Sequence, residues 1–248
     1  MDPLLLLLSL GVFVIAFSYS SVGLGGGSSY TALLTIVGFS YAQIPSLSLV
    51  LNIIVTIGAT IQFARHGHLK WKVLMPFVLT SIPGAYLGGS LAIGESLFYW
   101  ILLGSLIAVA ARIYLWQNPV LNLPKSKSFQ LGLSLILGLV LGFIAGTVGI
   151  GGGIYLVPLI VLTGIATEKV AAATGAAFIL INSVVGLAAR MSWVDLDMNQ
   201  VLPMGLSVLV GGVLGSHYGA GRWRPQTLQK VLGGIVLVAI ALLARKVF

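Results

Sequence analysis

Val22-Gly-Leu-Gly-Gly-Gly-Ser28 is a glycine-rich stretch that the chain carries a second time, as Val148-Gly-Ile-Gly-Gly-Gly-Ile154. Both copies lie in almost purely apolar sequence, and a short apolar run follows each of them. Three adjacent glycines destabilise a helix by about 1 kcal/mol each relative to alanine. An unwound backbone inside a membrane needs hydrogen-bonding partners or an aqueous cavity. Each copy therefore predicts a break in a membrane helix, and the two breaks predict a polar site.

The composition is that of an integral membrane protein. Of the 248 residues, 58% are hydrophobic and only 7% are charged, and the mean hydropathy is +1.09, whereas a soluble domain carries about a quarter charged residues. The net charge of +8 would suggest nucleic-acid binding in a soluble protein, but here the basic residues lie mostly in short loops, as in cytoplasmic loops. We expect a multi-pass protein of the cytoplasmic (inner) membrane, with the lipid bilayer and no nucleic acid as partner.

The sequence argues against an enzyme. It contains no cysteine, which excludes disulfides, thiol catalysis and thiolate metal sites. The few carboxylates and histidines suggest neither a base–nucleophile pair nor a metal cluster. We therefore expect no catalytic residues, no metal and no cofactor.

The hydrophobic pattern predicts an all-α integral membrane protein with eight full spans and two short, glycine-led half-membrane segments. At 1.5 Å per residue, each full span crosses most of a ~30 Å hydrocarbon core. The full spans are residues 4–21, 44–64, 73–93, 97–116, 129–147, 170–189, 201–217 and 228–244, and the short segments are residues 28–37 and 155–163. A basic linker, residues 118–127, separates a first transmembrane repeat, residues 1–117, from a second, residues 128–248.

The two repeats match beyond the glycine stretches: Asn52 aligns with Asn182, Gly84 with Gly211 and Gly88 with Gly215. If the short segments cross the membrane, each repeat has five crossings, the repeats are inverted, and 10 of the 13 lysines and arginines lie on one side. If they do not cross, the repeats are parallel and 9 of the 13 lie on one side. We favour inversion because it brings both glycine breaks to a similar depth, as in transporters with broken helices.

The candidate substrate site lies between the two breaks. The helix after each break begins with unbonded N–H groups and the positive end of its dipole, which suit an anion, and nearby amides and hydroxyls can donate further hydrogen bonds. The predicted substrate-binding residues are Gly23, Gly25, Gly26, Gly27, Ser28, Ser29, Asn52, Gly149, Gly151, Gly152, Gly153, Tyr155, Thr174 and Asn182.

Each of these residue types also has a purely structural explanation. Glycine permits close helix packing, and a buried asparagine serves equally well as an interhelical hydrogen bond. A serine or threonine commonly bonds to its own backbone. Duplication of the triplets, each with a short segment behind it, favours the functional interpretation. For scattered glycines such as Gly132, Gly138 and Gly142 we expect packing.

The second copy, Gly146-Thr-Val-Gly-Ile-Gly-Gly-Gly-Ile-Tyr-Leu-Val-Pro158, and the run Ala172-Ala-Thr-Gly-Ala176 resemble the sulfite exporter TauE/SafE family, also called toluene sulfonate uptake permeases. The first copy departs from the pattern, since Ala32 stands where the second has Pro158. The resemblance covers nearly the whole chain. It implies a permease for sulfite or small organosulfonates that is driven by an ion gradient, with a proton or sodium as coupling ion.

We therefore predict a secondary transporter that moves small sulfur-containing anions across the membrane by alternating access. An anion channel and a carrier for another small anion are alternatives, and a continuous open pore would favour the channel. A non-transporting membrane scaffold is the alternative from another class. Tight glycine contacts without a polar cavity would favour the scaffold.

Overall fold

The computed structural model describes residues 3–20, 24–115, 126–191, 194–219 and 225–247. Every regular element in these ranges is an α-helix, which confirms the all-α prediction. The helices are α1 (Pro3–Ser20), α2 (Gly27–Val37), α3 (Gln43–Arg65), α4 (Trp71–Ser90), α5 (Glu95–Tyr114), α6 (Lys127–Val148), α7 (Gly153–Leu162), α8 (Glu168–Arg190), α9 (Met198–Gly219) and α10 (Pro225–Val247). Most of the predicted linker lies outside the described residues.

Each glycine stretch ends one helix and precedes a short one, as predicted. The first lies between α1 and α2, and the second between α6 and α7; α2 has 11 residues and α7 has 10. In the second break, Gly149, Gly151 and Gly152 have φ angles of 80°, 78° and 75°. A Cβ atom is strained in that left-handed region, whereas glycine adopts it freely.

Seven of the helices within the described ranges are long and apolar enough to cross a membrane: α1, α3, α4, α5, α6, α8 and α9. This confirms a multi-pass membrane protein. α10 is 23 residues long, but its described apolar part, Gly233–Arg245, is shorter than a full crossing. The eighth full span therefore stays a prediction. α2 and α7 are shorter apolar helices, as expected of the two glycine-led segments.

The first helix of each repeat packs on the fourth helix of the other, so that α1 lies on α9 and α6 lies on α4. Both contacts depend on glycine. A side chain at Gly88 would overlap the carbonyl oxygen of Phe143, and one at Gly215 would overlap that of Phe17. Phe17 and Phe143 are equivalent positions of the two repeats, so the two interfaces have the same construction.

Glycines along α6 let its backbone approach α4 closely. A Cβ on Gly138, Gly142 or Gly146 would overlap a carbonyl oxygen of α4, at Phe77, Ser81 and Ala85 in turn. This confirms packing for Gly138 and Gly142, whereas a Cβ on Gly132 would meet no atom within 4 Å. Because the residue numbers of the contacting pairs increase along both helices, α4 and α6 run in the same direction.

The third helices of the two repeats, α3 and α8, pack against each other at the centre. Leu49 of α3 contacts Gly186 of α8. Farther along α3, Thr56 lies beside Gly25, and so does Ile179, which comes earlier than Gly186 in α8. The contacts rise along one helix and fall along the other, so α3 and α8 run in opposite directions. Their crossing brings both glycine breaks together.

Candidate functional site

The two glycine breaks touch each other inside the protein. Gly25–Gly27 and Gly149–Gly153 are all buried. A Cβ on Gly27 would overlap the carbonyl oxygen of Ile150, so the start of α2 lies directly against the backbone of the second break. The absence of side chains permits this approach, and we call the region where the breaks meet the junction.

Two polar side chains of α3 bind the junction together. Asn52 Nδ2 donates to the carbonyl oxygen of Gly149 at 3.2 Å. Ser48 Oγ lies 2.8 Å from that same oxygen and 3.2 Å from the carbonyl oxygen of Gly27. The spacing of four residues places Ser48 and Asn52 on one face of α3. One helix of the first repeat thereby satisfies backbone carbonyls of both breaks.

An apolar side chain of α8 fills the remaining space. Ile179 Cδ1 lies 3.3 Å from the Cβ position of Gly25, and Ile179 Cγ2 lies 2.8 Å from that of Gly151. A Cβ on Gly153 would overlap Ile179 as well. The junction is therefore closed in this conformation, by Asn52 from one repeat and Ile179 from the other.

Several buried polar atoms around the central helices have no hydrogen-bonding partner. Three of them belong to predicted site residues: Oδ1 of Asn52, Oδ1 of Asn182 and Oγ1 of Thr174, all in residues with 0% exposure. Asn182 Nδ2 donates to the carbonyl of Phe178, one turn back on its own helix, at 2.8 Å. The paired asparagines of the two repeats thus behave differently: Asn52 bonds across to the other repeat, and Asn182 bonds within α8. An unpaired buried acceptor costs about 1–3 kcal/mol.

Three other hydroxyls that were predicted to bind the substrate form hydrogen bonds to neighbouring helices instead. Ser28 and Ser29 lie 3.4 Å and 3.1 Å from the hydroxyl of Tyr19 on α1. Tyr155 donates to the carbonyl of Ser105 on α5 at 2.6 Å, and it borders a cavity of about 420 Å³ between α5, α6 and α7. That cavity is lined almost wholly by apolar side chains, unlike the expected polar cavity. Gly23 lies outside the described residues.

The junction thus contains five of the predicted glycines and Asn52. The five glycines are Gly25, Gly27, Gly149, Gly151 and Gly153. Just beside them, Gly26 packs on Tyr30 and Ile15, and Gly152 packs on Phe178 and Leu141. Ser48 and Ile179 also line the junction and were not among the residues predicted from the sequence. For Ser48 a signal was present, because it precedes Asn52 by one helical turn in an apolar span.

A buried cation also lies close to the second break. Arg190, at the end of α8, is only 2% exposed. Its Nε and Nη2 donate to the carbonyl of Gly146 at 3.1 Å and 3.0 Å, and Nη2 donates to that of Thr147 at 2.5 Å. These carbonyls belong to the last turn of α6, where the helix dipole is negative. Arg190 therefore caps the helix that leads into the second break, instead of snorkelling to the membrane surface.

The electrostatics of the junction favour an anion. α2 and α7 both begin there, and each N-terminus carries roughly half a positive charge together with N–H groups that have no acceptor within the helix. Within the described ranges, the histidines and carboxylates form no group of three that could hold a metal ion. The arrangement offers hydrogen-bond donors and helix dipoles, and these can hold a small oxyanion.

A family model and several relatives all indicate a membrane transporter. Residues 8–243 match the family model described as "Sulfite exporter TauE/SafE". The chain is 33% identical to "Probable membrane transporter protein y4hK" of Sinorhizobium fredii, over 96% of this chain and 98% of that protein. It is 27% identical to "Probable membrane transporter protein YjnA" of Bacillus subtilis, over 93% of this chain and 95% of that protein. No solved structure matches significantly.

Proposed function

From the premise that the chain belongs to the sulfite exporter TauE/SafE family and is a membrane transporter, not an enzyme, we propose that it is a secondary carrier of small sulfur oxyanions such as sulfite or short organosulfonates. The anion binds at the junction. The names of the relatives are generic, so the sulfur chemistry rests on the family description and on the character of the site.

The convergence of two helix N-termini on one buried point, where both repeats meet, is the observation that carries this proposal. Transporters with broken helices bind anionic groups at such N-termini, at the interface between repeats. Here the approach is so close that the start of α2 touches the carbonyl of Ile150. Binding requires this contact to open, and the N–H groups of both breaks then face the anion.

The residues that would hold the anion follow from the contacts. The backbone of both glycine breaks and the second N–H of Asn52 supply donors at the junction itself. Three hydroxyls would also bind the anion if they gave up their present hydrogen bonds: Ser28 and Ser29, now bonded to Tyr19, and Tyr155, now bonded to Ser105. Thr174 and Asn182 on α8 have free acceptor atoms and would contribute after α8 moves relative to α3.

Inverted repeats and alternating access are part of the same proposal. If the repeats were parallel, the equivalent helices α3 and α8 would point the same way. The opposite direction of their contacts supports inversion, in which each repeat crosses five times. The same topology puts the basic loop around Arg65 and Lys70 on the cytoplasmic face of the cytoplasmic membrane. The tight glycine contacts of the junction are also those expected of a scaffold, but membership of a transporter family argues against that alternative. Among transporters, the close packing favours a carrier that opens to one side at a time over a continuously open channel.

Transport by the purified protein in lipid vesicles tests the proposal. Uptake of labelled sulfite, thiosulfate and short sulfonates should be measured with and without imposed proton and sodium gradients. We expect saturable uptake of at least one sulfur oxyanion, accelerated by one of the two gradients. Uptake no faster than in protein-free vesicles, for every compound tested, would contradict the proposed substrate class.

A further inference from the structure

The junction contains a buried acceptor that an ordinary anion cannot satisfy. Asn52 is 0% exposed, and its Nδ2 is committed to Gly149. Its Oδ1 lies 3.1 Å from the Cβ position of Gly25, against the first break, and has no hydrogen-bonding partner. Asn182, at the matching position of the second repeat, also has a buried Oδ1 without a partner. The most central amides therefore present acceptors as well as donors.

A fully deprotonated oxyanion has only acceptor atoms. Its oxygens suit the N–H groups of the two helix N-termini, but it offers nothing to a carboxamide oxygen. Leaving that oxygen unpaired in the occupied site loses affinity. A site built to hydrogen-bond a donor on its substrate discriminates strongly against analogues that lack the donor.

We propose that the ligand of the junction is a small oxyanion that retains one acidic proton, such as hydrogen sulfite, and that its O–H donates to Asn52 Oδ1 while its other oxygens accept from the N–H groups of the breaks. The inference rests on the proposed function and specifies the protonation state of the substrate. It predicts preference for a hydrogen oxyanion over a sulfonate of the same charge.

The distribution of carboxylates supports the same conclusion. Glu95, Glu168, Asp195 and Asp197 are all exposed and lie at or beside helix ends, so none of these four is placed to relay a proton through the described core. A hydrogen oxyanion carries its own proton across the membrane. Movement of hydrogen sulfite is thermodynamically equivalent to movement of the sulfite dianion together with one proton. Proton coupling then needs no titratable side chain in the pathway.

A sodium ion would also satisfy an amide oxygen, but its charge has the wrong sign for this position. Both α2 and α7 begin at the junction, and their positive ends repel a cation. The unwound carbonyl to which Asn52 donates, that of Gly149, already accepts from both Asn52 and Ser48. Asn52 Oδ1 therefore accepts a hydrogen bond from the proton of the substrate and does not bind a sodium ion.

A pH dependence near neutrality would come from the ligand and not from the side chains around Asn52. The titratable residues on the neighbouring helices α1, α2, α7 and α8 include Tyr19, Tyr30, Tyr155 and Arg190, whose types keep one charge state near neutral pH. Glu168 and Lys169 lie at the distant, exposed start of α8. Histidines occur in the loop after α3, at positions 66 and 68, and on α9, at position 217. Their replacement by glutamine is therefore a necessary control.

The test compares sulfite with methanesulfonate, a monoanion that also has three oxygens on sulfur but carries a methyl group on the sulfur and no proton on any oxygen. Inhibition of labelled sulfite uptake into vesicles is measured over the pH range in which hydrogen sulfite loses its remaining proton. We expect methanesulfonate to inhibit about tenfold or more weakly than hydrogen sulfite. We also expect the sulfite KM to rise with pH when expressed as total sulfite, and to stay constant when expressed as hydrogen sulfite, in the wild type and in the histidine-to-glutamine variants.

Two variants test whether Asn52 causes the discrimination between hydrogen sulfite and methanesulfonate. Asn52→Leu removes the acceptor but leaves Ser48 on the Gly149 carbonyl, and it should bring the two inhibition constants close to each other. Ser81→Ala removes a buried, unpartnered hydroxyl in α4, away from the junction, and should leave the ratio unchanged. If Asn52→Leu does not fold, the wild-type comparison still decides.

Equal inhibition by sulfite and methanesulfonate at every pH would overturn this inference while leaving sulfur-oxyanion transport intact. Loss of the pH dependence in a histidine variant would also overturn it, because the proton would then belong to the protein. Absence of protein-dependent uptake of sulfite, thiosulfate and the short sulfonates alike would instead refute the proposed function, and with it the inference.

Discussion

Gly27→Ala adds one carbon atom at the point where the two glycine breaks touch, and it tests whether transport requires that contact. In the closed junction, a Cβ at this position would lie 2.6 Å from Asn52 Nδ2 and would overlap the backbone of Ile150. Ordinary contact begins at 3.4 Å, and the same Cβ would lie 2.7 Å from the carbonyl carbon of Ile150, so Gly27→Ala forces the two breaks apart by at least 0.7 Å (3.4 − 2.7). Backbone atoms have no alternative rotamer, so the chain must shift.

The expected magnitude follows from the cost of overpacking, which is about 1–3 kcal/mol. If the substitution destabilises the closed state by that amount, its population relative to the open states falls about 5- to 150-fold. A carrier must pass through the closed state in every cycle, so its maximal transport rate should fall by a comparable factor. A protein that only needs packed helices would lose stability but would have no transport cycle to slow.

The assay is saturable sulfite uptake by vesicles containing equal amounts of Gly27→Ala and wild-type protein, with thermal denaturation in detergent as the measure of folding. Gly58→Ala is the matched control, because a Cβ at Gly58 meets no atom within 4 Å and alanine favours the helix by about 1 kcal/mol. It should transport normally. A folded Gly27→Ala protein with the wild-type rate would refute the reasoning that the two breaks must touch for transport to occur.

Three further predictions concern the framework around the junction. Arg190→Leu leaves the carbonyls at the end of α6 without their donor and should lower the free energy of unfolding by about 1–3 kcal/mol, measured by denaturation in detergent; Arg245→Ala, at an exposed position, should change it little. Gly142→Ala should lower the melting temperature because its Cβ would overlap Ser81 of α4, and an unchanged value beside the open-space control Gly132→Ala would contradict the packing described for α4 and α6. A cysteine at Gly67, in a chain that has no other, should resist impermeant thiol reagents in intact cells and react in inverted vesicles; labelling from outside would reverse the topology.

The helix breaks could be predicted from sequence because their cause is local. Consecutive glycines are poor helix formers wherever they occur, and the duplication identified both stretches as parts of one architecture. The same alignment of repeats correctly paired Gly88 with Gly215, and both fit against equivalent phenylalanine carbonyls. Local backbone chemistry and internal symmetry were sufficient for these features.

The hydrogen-bonding partners within the site could not be predicted in the same way. Whether Ser28 bonds to an anion site or to Tyr19 depends on the angle at which α1 meets α2. Asn52 and Asn182 match in sequence, yet only Asn52 reaches the other repeat. The role of Arg190 as a cap requires α8 to pass the last turn of α6. Such contacts depend on tertiary geometry between helices that are distant in sequence.

Isotope counterflow through the purified protein tests the central claim most directly. Vesicles are loaded with unlabelled sulfite, and labelled sulfite is added outside at a much lower concentration. A carrier with a junction that opens alternately should transiently accumulate label above its equilibrium level, because inward and outward steps share one site. Simple equilibration of label without overshoot would indicate a channel, and no protein-dependent entry would indicate that sulfite is not the cargo; either result would contradict the account.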